Sequence, residues 1–257
     1  MYKRRIGVAV GVLAAMMVIL ISPTAFSQKE PPQATYTYVS EFQVPRAQWA
    51  AFAEEEEKTF VSIAEKGMAD GSLVAYTTFE NIVHTPDGYT NGATWSSTSI
   101  AGVLKTLDEL RKGGARAGQV SATKHEDYFM VSTLHHSSTV SKGTGYLRVI
   151  CSNAKAEKPG EFVATMKKLL VPTFEDQFKK GVVTYYGIDE QYVNTGTPST
   201  RCVVIMYPNA ENIDKWAGAV NATLAKMSPA ERAEYFNASV ADSRRDMMAR
   251  VTHYASK

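Results

Sequence analysis

Glu56 is the residue in this chain with the strongest mismatch between type and place. Trp49, Phe52, Phe60 and Ile63 recur at helical spacing, and Glu56 falls on the same apolar stripe. A carboxylate on a buried stripe would be desolvated, its pKa raised, and it could serve as a general base. The competing reading is plain solvation: Glu54 to Glu57 are consecutive glutamates, and such runs usually form wet faces. His84, after an expected strand, is the second candidate acid or base, because imidazole titrates near neutral pH. His135 and His136 end another expected strand and His253 lies near the corresponding place later in the chain. Histidines could bind a metal or act as acid and base near neutral pH, but neighbours on a strand point to opposite faces. None of these histidines has metal-ligand spacing, and ordinary polar strand ends explain them equally.

Tyr76 and Tyr186 sit at matched places on two expected strands, with Glu80 and Glu190 four residues on and on the same face. A tyrosine can hold a ligand by stacking and by its hydroxyl, or it can simply fill a core. Trp95 stands among Thr94, Ser96, Ser97, Thr98 and Ser99, a lining suited to a pocket or to an open edge. The sequence contains no hydrolase elbow, phosphate loop, CxxC pair or nucleotide fingerprint. No metal and no cofactor is therefore expected.

The elements that would carry these residues occur twice. Against itself at an offset of 110 positions, the chain matches without a gap from Tyr36 to Thr85. Tyr36 meets Tyr146, Phe52 meets Phe162, Gly71 meets Gly181 and Tyr76 meets Tyr186. Each copy reads strand, helix, strand, strand, helix, strand. The first-copy elements are expected at 35–42, 46–66, 73–81, 93–99, 100–112 and 128–135. Those of the second are expected at 146–152, 160–180, 182–192, 201–207, 210–226 and 247–254. Pro172 should kink or interrupt the helix over 160–180, and Gly71 and Gly181 should end theirs in a left-handed conformation. Ser228-Pro229-Ala230-Glu231 opens an extra helix in the second copy. A turn at Pro86-Asp87-Gly88 has its counterpart at Asn194-Thr195-Gly196, and Gly113-Gly114 is a flexible connection. The units span 35–136 and 146–257, with 137–145 as linker.

This order is the split βαβ, ferredoxin-like arrangement. Two such units in one chain resemble the dimeric α/β-barrel superfamily, over about residues 35 to 257. The resemblance implies an α+β fold: two tandem ferredoxin-like βαββαβ units forming a pseudo-dimeric α/β barrel. It implies a site in the cavity beneath a sheet. It also brings functions that include cofactor-independent monooxygenases, haem enzymes, isomerases and ligand binders. Haem-bearing members with duplicated units place a histidine on a second-unit helix; here the second unit's only histidine, His253, falls on a strand, which counts against haem. With strands one and three of a unit taken as parallel neighbours, Cys151 and Cys202 stand at opposite ends, and two free buried thiols are expected.

The chain begins with Lys3, Arg4 and Arg5, then an uncharged run from Ile6 to Ile21, then Pro23 and Ala25-Phe26-Ser27. This pattern predicts an export signal over 1–27, cut before Gln28, and a periplasmic or secreted protein. The signal carries three of the 28 basic residues and none of the 26 acidic ones, leaving 25 − 26 = −1 for the rest. No basic stripe remains for nucleic acid, and no membrane contact is expected after cleavage. The expected function is binding of a small molecule in the first unit's cavity. Alternatives are a cofactor-independent monooxygenase- or isomerase-like enzyme, and a non-catalytic interaction or assembly protein. On these grounds Glu56 and His84 are the candidate catalytic residues, and Tyr76, Trp95, Tyr186 and His135 the candidate ligand contacts.

Overall fold

The computed structural model describes residues 33–113, 122–155, 157–158, 160–193 and 199–257. The expected signal over 1–27, Gly114 and the turn at 194–196 lie outside the described residues. Eight strands form one closed, wholly antiparallel barrel. They are β1 (Thr35–Gln43), β2 (Ala75–Asn81), β3 (Asn91–Ser97), β4 (Lys124–Ser137), β5 (Val140–Asn153), β6 (Tyr185–Val193), β7 (Thr200–Tyr207) and β8 (Arg245–Ser256). Around the barrel the order is β1-β3-β2-β8-β5-β7-β6-β4. Closure leaves no edge strand to template aggregation.

The helices lie outside the sheet. In the first half they are α1 (Trp49–Glu56), a π turn (Glu57–Val61), α2 (Ser62–Asp70) and α3 (Ile100–Lys112). In the second half they are α4 (Glu161–Leu169), α5 (Val171–Lys179), α6 (Ala210–Lys226) and α7 (Pro229–Asn237). Gly71 and Gly181 end α2 and α5 with φ of 81° and 68°, which a side chain would strain. Ser99 and Asn209 cap α3 and α6 by accepting from the amides of Gly102 and Asn212. Ser228 and Glu231 form a reciprocal capping box at α7. Pro172 does not bend a continuous helix. The break comes at Leu170, and the proline occupies the first turn of α5, where a missing N–H costs nothing.

The two halves pair their strands in the same register. Tyr36 faces Ser97 and Tyr146 faces Tyr207; Ala75 faces Ser96 and Tyr185 faces Met206. In each case both members shift by 110, as 146 − 36 and 207 − 97. The stretch 137–145 is mostly strand: β4 runs to Ser137 and β5 begins at Val140.

One expectation about the strands is overturned. β5 and β7 are antiparallel, with Cys151 directly opposite Cys202, Cα atoms 4.0 Å apart, and the two sulfurs form a disulfide. The reason is topological. The helix crossover makes strands one and two of a unit parallel, and strand three reverses at a turn and inserts between them. It therefore runs against both, and its start meets the end of strand one.

Three apolar cores follow from the alternation of the strands. One lies between the helices and sheet of each half, around Phe60, Leu73 and Trp95 in the first and Phe174, Tyr186 and Trp216 in the second. The third fills part of the barrel lumen with Phe79, Leu147, Met206 and Val251. Among the described residues no helix is long and apolar enough to cross a membrane.

Candidate functional site

β1 turns Tyr38, Ser40 and Phe42 toward the helices of the first half, and β3 adds Trp95 on the same side. Opposite them the π turn widens the helix where α1 ends. Such an extra backbone residue is often found at functional sites. Here Glu55, Glu56, Thr59 and Phe60 come to line one wall. Between sheet and helices lies a cavity of about 450 Å³, closed further in by Leu107 and Leu110 of α3. Arg111, His125 and Asp127 also line it.

The cavity has an aromatic wall and a polar one. Tyr38 stacks on Trp95 with ring centroids 4.5 Å apart, and Trp95 is anchored by its Nε1 donating to the Val103 carbonyl at 3.1 Å. Phe42 stacks on His125 at 4.6 Å. Asp127 gathers donors from two directions. Ser40 Oγ donates to its Oδ1 at 2.8 Å, and His125 Nε2 lies 2.9 Å from the same oxygen. Ser40 spends its proton on Asp127 and accepts from His125 Nε2 at 2.8 Å. Nε2 must then carry the hydrogen, which leaves the lone pair of a neutral His125 on Nδ1. Burial, with the Asp127 charge beside it, holds the Tyr38 hydroxyl well above its ordinary pKa, so it stays protonated.

Glu56 has no hydrogen-bond or ion-pair partner among the described residues. Burial pushes its carboxyl from 4.5 up to about 8, so at neutral pH it is a neutral acid and a hydrogen-bond donor. The site thus sets a protonated carboxyl on one wall and an aspartate-oriented imidazole on the other.

The residues nominated from the sequence separate in space. Glu56 and Trp95 line the cavity. Tyr76 lies behind it, buried edge-on to Phe60, with its hydroxyl 3.5 Å from Glu65 Oε1. Tyr186 is buried in the second half among Phe174, Phe178 and His136. His84 is exposed, 5.1 Å from the Trp49 ring in a separate shallow groove. His135 points into the barrel lumen, where Nε2 meets Thr35 Oγ1 at 3.1 Å. Glu80 is not part of the cavity wall, and Glu190 is paired with Arg201 at 2.7 Å.

Tyr38, Ser40, His125 and Asp127 are not singled out by the sequence pattern. The expected fourth strand starts at 128, whereas β4 starts at Lys124. Its first residues, Lys-His-Glu-Asp, are poor strand formers. The signal available was period two: 125, 127 and 129 on one strand against 42, 40 and 38 on the other, residue opposite residue.

Among the described residues the second-half helix–sheet interface does not fit a haem. α4, α5 and α6 carry no histidine, and Phe162, Met166, Leu169, Phe174 and Trp216 fill the region, each less than 9% exposed.

No protein-family model matches the chain, and no curated protein matches it in sequence. Solved structures do match in fold. A proposed monooxygenase from Fusobacterium nucleatum superposes with a TM-score of 0.66 at 10% identity, covering 88% of this chain and 96% of that one. A proposed monooxygenase from Lactobacillus acidophilus gives 0.59 at 12% identity, covering 87% and 96%. An anthrone oxidase-like protein gives 0.56 at 10% identity, covering 87% and 93%. The chain has the mixed α+β, dimeric α/β-barrel fold of these structures.

Proposed function

We propose that this chain is an exported protein, built as a tandem repeat of ferredoxin-like units, that binds a small, flat, partly polar molecule in the first-half cavity. The observation that carries the reading is the cavity of about 450 Å³ with a Tyr38–Trp95 stack on one wall and hydrogen-bonding groups on the other. That volume suits a molecule of drug-like size, and an apolar lining with few placed polar groups is the usual composition of such a site. The constant offset of 110 in both sequence and strand register supports the repeat, with units over 35–136 and 146–257. The cystine supports an oxidising compartment, in line with the apolar leader. The test is a titration with small aromatic phenols, acids and ketones, read by tryptophan fluorescence. A binder should quench in a saturable way, and both Trp95→Phe and a cavity-filling Thr59→Trp should remove the signal. Quenching unchanged in both variants would place binding elsewhere.

A second reading is favoured by one specific feature, the pairing of neutral Glu56 with His125. In a monooxygenase- or isomerase-like reaction without cofactor, His125 Nδ1 would take a proton from carbon beside a carbonyl. Asp127 would steady the imidazolium, and Glu56 would donate a hydrogen bond to the developing oxyanion. The fold neighbours described as monooxygenases are in line with this reading. Turnover would show as uptake of solvent deuterium or of dioxygen. His125→Ala should lower it at least ~100-fold, the usual scale of a lost general base. Turnover that survives both His125→Ala and Glu56→Gln would leave the enzyme reading without its residues.

A further inference from the structure

The barrel lumen is apolar on one side and polar on the other. Along β6 the residues that alternate inward are Tyr185, Gly187, Asp189 and Gln191, and on β4 Ser132 and His135 stand opposite Asp189 and Gly187. Asp189 is only 7% exposed, and its Oδ1 has no hydrogen-bond partner among the described residues. The same holds for Gln191 Oε1 and His135 Nδ1. Gly187 shows that this is a shaped place. A Cβ there would lie 2.4 Å from the Tyr185 hydroxyl and 3.2 Å from Asp189 Oδ1, so both oxygens converge over the glycine. The carboxyl lies deep in the barrel, and no lysine or arginine among the described residues is paired with it. A buried charge without a partner is among the costliest features a fold can carry.

We propose that the lumen binds one sodium-sized monovalent cation between Asp189, Gln191 and the Tyr185 hydroxyl. The donors are all hard oxygens, which suit s-block cations over transition metals. One carboxylate among neutral donors balances a single positive charge. A divalent ion would leave a net buried charge of its own. The site is separate from the first-half cavity, because it uses the opposite face of the sheet.

The experiment is a ²³Na NMR linewidth titration of the mature chain at pH 8, together with thermal melting in sodium chloride against choline chloride at equal ionic strength. Sodium is expected to broaden in a saturable way and to raise the melting temperature above that in choline. Asp189→Asn, nearly isosteric, should abolish both effects. If that variant does not fold, Gln191→Leu should raise the sodium midpoint by about tenfold, the loss of one ligand contact. Equal melting in both salts without broadening means that the polar groups are satisfied by water alone, and the proposal fails. It fails equally if the broadening persists in Asp189→Asn, or if the midpoint is unchanged in Gln191→Leu.

Discussion

The two halves of the barrel share one register but use the space beneath their helices in opposite ways. Ser40, Glu56 and Thr59 line the first-half cavity. At the positions 110 further on stand Ile150, Met166 and Leu169, all within the second-half core. Ala64 and Thr106 of the first half correspond to Phe174 and Trp216, whose rings pack 4.7 Å apart. A few exchanges of size and polarity, on an unchanged backbone plan, separate a filled core from a hollow one.

The strongest way to break this comparison is to truncate one side chain in each half. Phe174→Ala should cost about 3–5 kcal/mol, because the dense second-half core cannot collapse around the loss. Phe52→Ala, at the cavity wall, should cost less, since part of that ring already faces open space. Urea denaturation decides it; equal costs would mean that the first half is as tightly packed as the second.

The cystine comes next. Glu41 opposite Gly92 is the first-half counterpart of Cys151 opposite Cys202. Replacing both cysteines by alanine should remove roughly 2–4 kcal/mol, given the closed loop between them. Reductant should destabilise the parent chain by the same amount and leave the double variant unmoved.

An effect that depends on pH isolates Glu56. Its carboxyl ionises near 8 in the folded chain and near 4.5 when unfolded. The folded state therefore holds an extra proton between those values, and stability falls as pH rises through that window. Glu56→Gln should be more stable than the parent at pH 8, by up to about 4 kcal/mol, and within about half a kcal/mol of it at pH 4.5. A difference that does not change with pH would show that Glu56 is solvated after all. Glu41, raised to about 7 by burial and by Glu126, pulls in the same direction and cancels in this comparison.

The smallest effect is the most pointed. Ser40→Ile with Glu56→Met gives the first half the lining of the second. The pair should gain about 1 kcal/mol at neutral pH from buried methyl groups. It should also lose ligand binding. Calorimetry and the fluorescence titration read the two outcomes on one sample.

The fold was legible in the sequence where local rules and long-range pairing agree. α3 and α6 occupy the residues expected for them, 100–112 and 210–226, and Gly71 and Gly181 end helices as expected. The candidate site was legible in part. Glu56 stands out because a carboxylate on an apolar stripe breaks a pattern, and Trp95 because it interrupts a hydroxyl-rich strand. The β1–β4 polar group does not break any pattern: Ser40 is an ordinary strand residue, and histidine and aspartate at the start of β4 look like a loop. Their meaning arises only from cross-strand register, which a single sequence does not carry. The disulfide escaped for the same reason, since strand direction decides whether the two cysteines meet.

The short passage from β4 to β5 joins the halves through Ser138 and Thr139. A barrel assembled from two identical chains must repeat every substitution on both sides of its axis. A single chain is released from that rule, so one half can give up packing for a cavity while the other keeps the structure firm. The seams between β2 and β8 and between β4 and β6 are also intramolecular, so dilution cannot open them. Covalent tethering thus gives the molecule what a symmetric assembly lacks: a cavity on one side without its mirror on the other, with a shape that does not depend on how much protein is present.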